Sequence, residues 1–253
     1  MNTNFRLSDR ENLSIWGLSD THIGSANCNY EYIEYAFEKW RLKTEPRMII
    51  LNGDILEVAS KHVGDSAFKQ ALNVNEQLDV AYEYLRPFKD EILGISIGNH
   101  EKRMVNEFDF NPNIELAKRL GIPYDHNIHE TIYINGNPFN ILAMHGRGSS
   151  SKDTYLLNKI ERETAQFEND IAFYGHTHLL ANKSIPIKTA IGEIKRRTFV
   201  ATGHYLKYKD SYAEMAGLPF LPEAFSFVDI NAKFKMNITN YYIDVEREDL
   251  LEL

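Results

Sequence analysis

The stretch IWGLSDTH, residues 15–22, leads from a short apolar run into two potential metal ligands, Asp20 and His22. Ile15 to Ser19 predicts a buried strand, because the run is brief, apolar and followed at once by polar residues. Side chains two positions apart on an extended segment project to the same side. Asp20 and His22 could therefore bind one ion at the carboxyl end of this strand.

Two further apolar runs end in the same way. Met48 to Asn52 and Ile92 to Ile97 predict buried strands, and Asp54 and Asn99 follow them, each directly after a glycine. The glycine lets the backbone turn tightly beside an ion, and the two oxygens of a carboxylate can bridge two metals. Such donors, converging from several strands, are typical of a metal pair. Histidines supply the other candidate donors: His100, His145, His176 and His178.

Composition restricts the class of protein. With 253 residues, of which 43% are hydrophobic, the chain can bury one large core, and we expect a single domain over residues 1–253. The one cysteine, Cys28, excludes an internal disulfide and a thiolate-rich metal site, so nitrogen and oxygen must hold any metal. A net charge of −8 disfavours a large basic surface for nucleic acid. Without a long apolar stretch or signal segment, we expect a cytoplasmic protein that does not bind membranes.

Helices and strands alternate in the first half of the chain, and strands dominate the second half. Asn135-Gly136 predicts a type I′ turn between the strands Thr131–Ile134 and Phe139–Met144. Ala224 to Ile230 and Met236 to Ile243 predict closing strands. This order suits two packed sheets with helices outside them. Apolar residues at helical spacing predict four helices, over residues 30–40, 68–85, 114–120 and 152–167.

The polar motifs, taken together, resemble those of the calcineurin-like metallophosphoesterase superfamily. They are SDTH at 19–22, NGD at 52–54, GNHE at 98–101, HG at 145–146 and GHTH at 175–178. Their shared order is far more specific than any single motif. Residues 181–253 match the family less recognisably. ATGHYLKYKDSYAE at 201–214 is similar to segments of phage-encoded members, which favours a phage-encoded protein that acts in the host cytoplasm.

The resemblance implies an α/β fold, a four-layer α-β-β-α sandwich of two central mixed sheets flanked by helices. The metal site would lie at the carboxyl ends of the strands, and His100 would be a catalytic histidine that binds no metal. Two divalent ions are implied, with manganese preferred and iron or zinc as alternatives, because mixed nitrogen and oxygen donors discriminate poorly among them. One ion would be held by Asp20, His22, Asp54 and His178, and the other by Asp54, Asn99, His145 and His176.

The implied reaction is hydrolysis of a phosphoester by a hydroxide that bridges the two ions. His100 would protonate or stabilise the leaving oxygen, since an imidazole can carry a proton near neutral pH. We predict that Glu101 orients His100 through a hydrogen bond. Arg147 and Lys152, in the loop after His145, are candidates to bind a substrate phosphate, although exposed cations are common at any surface.

The substrate is predicted from what the motifs lack. Protein phosphatases of this family place one arginine shortly after GD and another before GNHE, whereas this chain has Ile55-Leu56-Glu57 and Ser96-Ile97 there. A phosphodiester carries less charge than a monoester and needs less cationic neutralisation. We therefore expect a phosphodiesterase that acts on a nucleotide or on DNA or RNA, with a phosphomonoesterase as the alternative.

Two other interpretations are weaker. Repair nucleases of the family typically have a histidine soon after GD, where this chain has Glu57, so the motifs do not assign a nuclease. A binding subunit without metal would have lost ligands, and every ligand position here is filled. The oligomeric state is not predicted. The remaining histidines have no partner at metal-binding spacing and are predicted to be structural or surface residues: His62, His126, His129 and His204.

Overall fold

The computed structural model describes residues 4–9, 11–44, 46–59, 70–148, 152–188, 192 and 194–243. In chain order its strands are β1 (Asn4–Phe5), β2 (Asn12–Leu18), β3 (Arg47–Asn52), β4 (Ile92–Ser96), β5 (Tyr124–Asp125), β6 (Ile128–Ile134), β7 (Asn137–Met144), β8 (Ile171–Tyr174), β9 (Leu180–Lys188), β10 (Ile194–Thr202), β11 (Ala224–Asn231) and β12 (Met236–Tyr242). Its α-helices are α1 (Tyr30–Arg41), α2 (Val74–Leu85), α3 (Asn99–Phe108), α4 (Pro112–Leu120), α5 (Asp153–Thr164) and α6 (Tyr212–Met215).

The strands form two six-stranded sheets. The first sheet has the order β12-β11-β2-β3-β4-β5, in which β2 to β5 are parallel and β11 is antiparallel to both of its neighbours. The second sheet has the order β1-β6-β7-β8-β10-β9, in which β7, β8 and β10 are parallel. Strand β6 is parallel to β1 but antiparallel to β7, and β9 is antiparallel to β10. Both sheets are therefore mixed, which confirms the predicted fold class.

Helices cover the outer face of each sheet. On the first sheet, Trp16 and Phe227 pack against Phe37 and Trp40 of α1, with ring centroids 5.1 Å apart for Trp16 and Phe37. On the second sheet, α5 lies in the cluster that contains Leu142, Ala172 and Phe199. None of the helices among the described residues is long and apolar enough to cross a membrane. Residues 181–243 supply the last four strands and α6, while the single-domain organisation of residues 1–253 stays a prediction.

Most helix boundaries follow from capping residues. The Asn29 side chain accepts a hydrogen bond from the backbone N–H of Tyr32, so Asn29 caps α1, which begins at residue 30 as predicted. Gly121 ends α4 in the left-handed conformation, with a φ of 73°. The predicted helix over 68–85 is wrong at its start: Asn73 and Glu76 form a capping box that begins α2 at Val74, and residue 68 lies outside the described part of the chain.

The remaining differences concern one helix boundary and two elements that were not predicted. Helix α5 spans 153–164 rather than the predicted 152–167, and a 3-10 helix, Arg86–Glu91, continues from α2. Helix α3 was not predicted, because its sequence is mostly polar and Glu101 is its only buried residue. Strand β8 was also missed, since its four residues are all buried and show no alternation.

Gly17 sets the distance between the two sheets at one point. It lies in β2, on the face that carries Leu13 and Ile15 toward the second sheet, where Phe173 is 1% exposed. A Cβ atom at Gly17 would come within 2.5 Å of Phe173 Cδ1. Because neither sheet can move away without separating the core, no larger residue fits here without strain.

Gly17→Ala is expected to lower the free energy of unfolding by about 1–3 kcal/mol, the usual cost of overpacking a core. Urea unfolding measures this loss. Gly94→Ala in β4 is the control, because its Cβ would meet nothing closer than 3.3 Å and should cost less. Adding Phe173→Leu to Gly17→Ala should cost less than the sum of the two single changes, since the smaller side chain makes room. Strict additivity would contradict the steric explanation.

Candidate dinuclear metal centre

The predicted metal ligands lie where strands end. Asp20 follows β2, Asp54 follows β3, and Asn99 is the first residue of α3, directly after β4. His145 follows β7, and His176 follows β8, the parallel neighbour of β7. Parallel neighbours end at the same edge of a sheet, so each sheet gathers its own donors. The two edges meet, because Asn99 Oδ1 and His176 Nδ1 are 2.6 Å apart.

The backbone at these donors is held in an uncommon conformation. Positive φ is rare for residues other than glycine and costs about 1–3 kcal/mol at each position. Such strain persists only where the surrounding structure imposes it, and it is concentrated at functional sites. Five of the predicted ligands have φ between 47° and 69°: Asp20, His22, Asp54, His176 and His178.

One group of donor atoms consists of Asp20, His22 and His178, whose potential ligand atoms all lie within 4.8 Å of one another. The Nε2 atoms of His22 and His178 are 3.2 Å apart. Asp20 Oδ1 is 3.5 Å from His178 Nε2. Asp54 Oδ2 is 3.9 Å from His22 Nε2, so this carboxylate lies at the edge of the group. These are the residues that the sequence assigned to one ion.

A second group consists of Asp54, His145 and His176. Asp54 Oδ2 is 3.1 Å from His145 Nε2, and Asn99 Oδ1 is also 3.1 Å from that nitrogen. Asp54 therefore lies between the two groups, as a bridging ligand must. His22, Asp54 and His100 form a third combination within the same 4.8 Å limit, so His100 is close to the donors as well.

Hydrogen bonds fix the orientation of the histidine rings. His145 Nδ1 donates to the carbonyl oxygen of Asn52 at 2.9 Å, so Nε2 is the nitrogen directed at Asp54. His22 Nδ1 lies 3.1 Å from Glu57 Oε2 and donates to it, so His22 Nε2 also faces the centre. A partner on the outer nitrogen is usual for metal-binding histidines. The sequence did not reveal this role of Glu57, although its position three residues after Asp54 was the available signal.

Asp20 is also held by several donors. Ser19 Oγ donates to Asp20 Oδ2 at 2.5 Å, and the backbone N–H of His176 points at both carboxylate oxygens, at 3.1 and 3.0 Å. Ser19 Oγ is itself 2.5 Å from Thr202 Oγ1 at the end of β10. Ser19 and Thr202 come from different sheets, so no local sequence pattern could have paired them.

Glu101 has a different role from the one predicted. Its buried carboxylate accepts backbone N–H groups from Asp54 at 3.1 Å, Leu56 at 3.0 Å and Gly98 at 2.9 Å. It thus ties the loop after β3 to the start of α3. His100 is held instead by Glu57, whose carbonyl oxygen accepts the Nδ1 proton at 2.9 Å. The prediction that Glu101 orients His100 is wrong, because the Glu101 carboxylate binds these three backbone N–H groups instead.

The donor set fits two divalent ions. Two nitrogens bound to one ion at about 2.1 Å, at right or tetrahedral angles, lie roughly 3.0–3.4 Å apart. The 3.2 Å between the Nε2 atoms of His22 and His178 matches that separation. Two nitrogen lone pairs would repel each other at this distance unless a proton or a cation lay between them. Carboxylate, amide oxygen and imidazole donors suit first-row divalent metals.

Comparison with known proteins agrees with this geometry. The family model of calcineurin-like phosphoesterases matches residues 13–208. The chain belongs to this family. Its members are metal-dependent hydrolases of phosphoesters with dinuclear centres, so this protein is a metal-dependent phosphoesterase. No curated protein matches the chain.

Two solved structures show only a distant likeness to this phosphoesterase. A Thermotoga maritima protein determined by solution NMR has a TM-score of 0.31 and 11% identity, over 90% of this chain and 99% of that one. A cold-active protein tyrosine phosphatase has a TM-score of 0.36 and 13% identity, over 94% of this chain and 80% of that one. At these scores neither structure informs the site.

The centre of the phosphoesterase is strongly negative without its ions. Burial disfavours a charged imidazole, yet the hydrogen bond to Glu57 and the nearby carboxylates raise the pKa of His22 to about 9. Burial is likewise outweighed at His145, where Asp54 raises the pKa to about 10. His100 differs, because burial and the charge of His22 lower its pKa to about 4. Protons therefore occupy His22 and His145 where cations would bind.

Metal binding by the phosphoesterase is expected to release protons. His22 and His145 must each lose a proton before the ring nitrogen can bind an ion, so about two protons should leave at pH 7. The apparent affinity for each Mn²⁺ ion should rise by up to about tenfold per pH unit there, and the product of the two binding constants by up to about 100-fold, until the pH exceeds the two pKa values. Calorimetric titration in two buffers of different ionisation enthalpy counts the protons. Binding without proton release would contradict the electrostatics described above.

The remaining predicted residues have these places. The Arg147 side chain is 84% exposed and its Nε lies 3.5 Å from Glu163 Oε1, so its phosphate-binding role stays a prediction. Lys152 is the residue directly before α5. His126 and His129 are exposed, as expected for surface residues, and His62 lies outside the described part of the chain.

His204 packs against the ring of one predicted metal ligand, His178. Its buried ring stacks on His178, with centroids 4.8 Å apart and an interplanar angle of 19°. His204 Nδ1 accepts from the backbone of Leu206 at 3.2 Å, and Nε2 donates to the carbonyl oxygen of Leu221 at 3.3 Å. Burial lowers its pKa well below the usual value, so the ring is neutral. It is a structural residue, as predicted, and it holds the His178 ring in place.

Proposed function

We propose that this phosphoesterase is a dinuclear-metal phosphodiesterase that acts on a nucleotide or nucleic acid. The observation that carries the proposal is the position of Asp54 between two groups of donors. In this proposal manganese is the preferred metal, and iron or zinc would suit the same donors. One ion would be held by Asp20, His22, Asp54 and His178, and the other by Asp54, Asn99, His145 and His176.

The two ions, when bound, lower the pKa of a water molecule and neutralise charge on the phosphoryl oxygens. The chain itself positions these ions and supplies a proton carrier. Asp54 Oδ1 accepts the backbone N–H of His100 at 2.9 Å, which couples the bridging carboxylate to the start of α3. His100 Nε2 lies 4.0 Å from Asp54 Oδ2 and therefore faces the centre.

His100 is proposed to act on the leaving oxygen. Because its Nδ1 proton is donated to the carbonyl oxygen of Glu57, Nε2 is the nitrogen that can gain or lose a proton. A bound phosphate adds negative charge beside the ring, which favours the protonated form and raises the pKa above that of the empty site. The imidazolium can then transfer the Nε2 proton to the leaving oxygen.

The charge of the site favours a diester. Asp20, Asp54 and Glu57 are ionised, because neighbouring imidazoles lower the pKa of each carboxyl despite its burial. The four positive charges of two divalent ions would be balanced by these three carboxylates and the hydroxide that the reaction requires. A phosphodiester then adds one negative charge to the site, whereas a phosphomonoester dianion adds two. The stretch Ile55-Leu56-Glu57 after Asp54 also contains no arginine, so the site has a carboxylate, Glu57, but none of the cations that the protein phosphatases of this family place soon after GD.

The test compares a bis(aryl) phosphate with the corresponding aryl phosphate under the same concentration of Mn²⁺. We expect kcat/KM to favour the diester by at least about tenfold. A preference for the monoester would replace the proposal with a phosphomonoesterase. Hydrolysis of neither compound, with both ions bound, would indicate a binding subunit. Cleavage of single- or double-stranded DNA at low salt, where nonspecific binding is strongest, would extend the activity to nucleic acid.

A further inference from the structure

Arg103 brings a cation next to the proposed catalytic histidine. It lies three residues after His100 on α3, so the two side chains share one face of the helix. Its Nη1 atom is 3.4 Å from His100 Nδ1. That nitrogen already donates its proton to the carbonyl oxygen of Glu57, so it offers the guanidinium no acceptor.

The guanidinium of Arg103 forms no ion pair with a carboxylate among the described residues. The arginines that do form such ion pairs there are Arg41, Arg47, Arg86, Arg119 and Arg147. Its side chain is half-buried, which restricts its motion and weakens competition from water. An arginine presents five N–H donors in a planar fork that matches a phosphate. Arg103 is therefore placed to bind an anion that the chain does not supply.

The orientation of His100 shows where that anion would lie. His100 Nε2 faces Asp54 and the metal centre, whereas Nδ1 faces Glu57 and Arg103. The leaving oxygen meets Nε2 in the proposed mechanism. Arg103 is at the opposite end of the ring from the metal centre, so an anion bound there is not the scissile phosphoryl group. Because His100 acts on the leaving oxygen in the proposed mechanism, such an anion would belong to the leaving fragment. One strand of nucleic acid carries a phosphate about every 3.4 Å along the axis, so a leaving fragment can present a second phosphate.

We propose that Arg103 binds a second phosphate, the one next to the scissile diester on the leaving fragment, which His100 faces in the proposed mechanism. This inference rests on the proposed phosphodiesterase function and narrows its substrate class. Preferred substrates are nucleotides or oligonucleotides whose leaving fragment carries its own phosphate. A diester with an uncharged leaving fragment is cut, but without the contribution of Arg103.

Three thymidine dinucleotides test the inference: one without a terminal phosphate, one with a 5′-terminal phosphate and one with a 3′-terminal phosphate. The products of the first show which oxygen leaves, and hence which of the other two carries its extra phosphate on the leaving fragment. For that substrate, Arg103→Ala should lower kcat/KM by about 10- to 100-fold, the effect of losing a charge-assisted hydrogen bond. For the other two substrates kcat/KM should stay within about twofold.

Lys102→Ala is the matched control, since Lys102 is the exposed neighbour on α3, and it should leave all three rates unchanged. Arg103→Lys should retain part of the preference, because it keeps the charge but not the planar fork. An equal loss on all three dinucleotides would overturn the inference, since Arg103 would then act on the scissile phosphoryl group or on His100. Unchanged rates in Arg103→Ala would overturn it as well, with the phosphodiesterase proposal intact. If the wild-type enzyme cuts none of the three, both proposals fail.

Discussion

Asp54→Asn is expected to abolish hydrolysis of an aryl phosphodiester in Mn²⁺ and to leave the fold intact. Asp54 is the carboxylate shared by both donor groups, and a neutral amide offers one oxygen where two are needed to bridge two ions. We expect a loss of more than about 100-fold, beyond the 10- to 100-fold typical of residues that only support a ligand. The amide oxygen can still accept the N–H of His100, so the local backbone keeps its hydrogen bond.

Asp170→Asn is the matched control for that variant. Asp170 is a half-buried aspartate directly before β8, at the end of the strand away from His176, and its Oδ2 accepts the backbone N–H of Asn140 at 2.8 Å. This substitution should leave activity unchanged. Calorimetry should show that Asp54→Asn weakens binding of both ions. The thermal midpoint of unfolding, measured without metal, should show that the fold is intact. An Asp54→Asn enzyme that keeps full activity would remove the bridging role of this carboxylate.

His100→Ala is expected to lower kcat by about 10²- to 10⁴-fold, the usual contribution of a general acid. The loss should depend on the leaving group. A nitrophenolate leaves without help from a proton, so its ester should be affected least, whereas a nucleoside alkoxide needs the proton and should be affected most. A plot of rate against leaving-group pKa should therefore be steeper for the variant than for the wild-type enzyme.

His100 lies close to His22 and Asp54, so the geometry allows it to be either a proton carrier or a metal ligand. The metal content of the His100→Ala variant distinguishes these two roles. If His100 carries a proton and binds no metal, His100→Ala should retain both ions at wild-type affinity. Loss of one ion, or an equal loss of rate for every leaving group, would make His100 a ligand instead. His126→Ala, a change of an exposed histidine far from the donors in sequence, serves as the control and should change neither quantity.

The sequence predicted most of the framework because the relevant signals are local. Strands β2, β3 and β4 are short apolar runs that end in glycine or polar residues, and the Asn135-Gly136 turn between β6 and β7 was recognised from its dipeptide. The metal-site motifs were also recognisable in the sequence, because the donors follow short apolar runs. Helix α3 was not, since its sequence is mostly polar and it buries only Glu101, whereas helices were recognised from apolar residues at helical spacing.

The supporting contacts of the site could not have been predicted from the sequence. Ser19 meets Thr202 across 183 positions of the chain, and His178 stacks on His204, which has no motif of its own. Glu101 was noticed in the sequence, but its true partners are the backbone groups of Asp54, Leu56 and Gly98. Such contacts depend on how two sheets are packed, and spacing along one chain carries no information about that.

The sequence by itself determined which residues can bind metal, that they are nitrogen and oxygen donors, and that each lies at the end of a strand. Only the tertiary structure decided that Glu57 rather than Glu101 holds the rings of His22 and His100, and that Arg103 lies beside His100. The physical reason is the distance along the chain over which each kind of interaction acts. Strand formation and turn chemistry depend on neighbours a few residues apart, whereas a metal centre depends on side-chain orientation at the meeting of two sheets, which packing alone fixes.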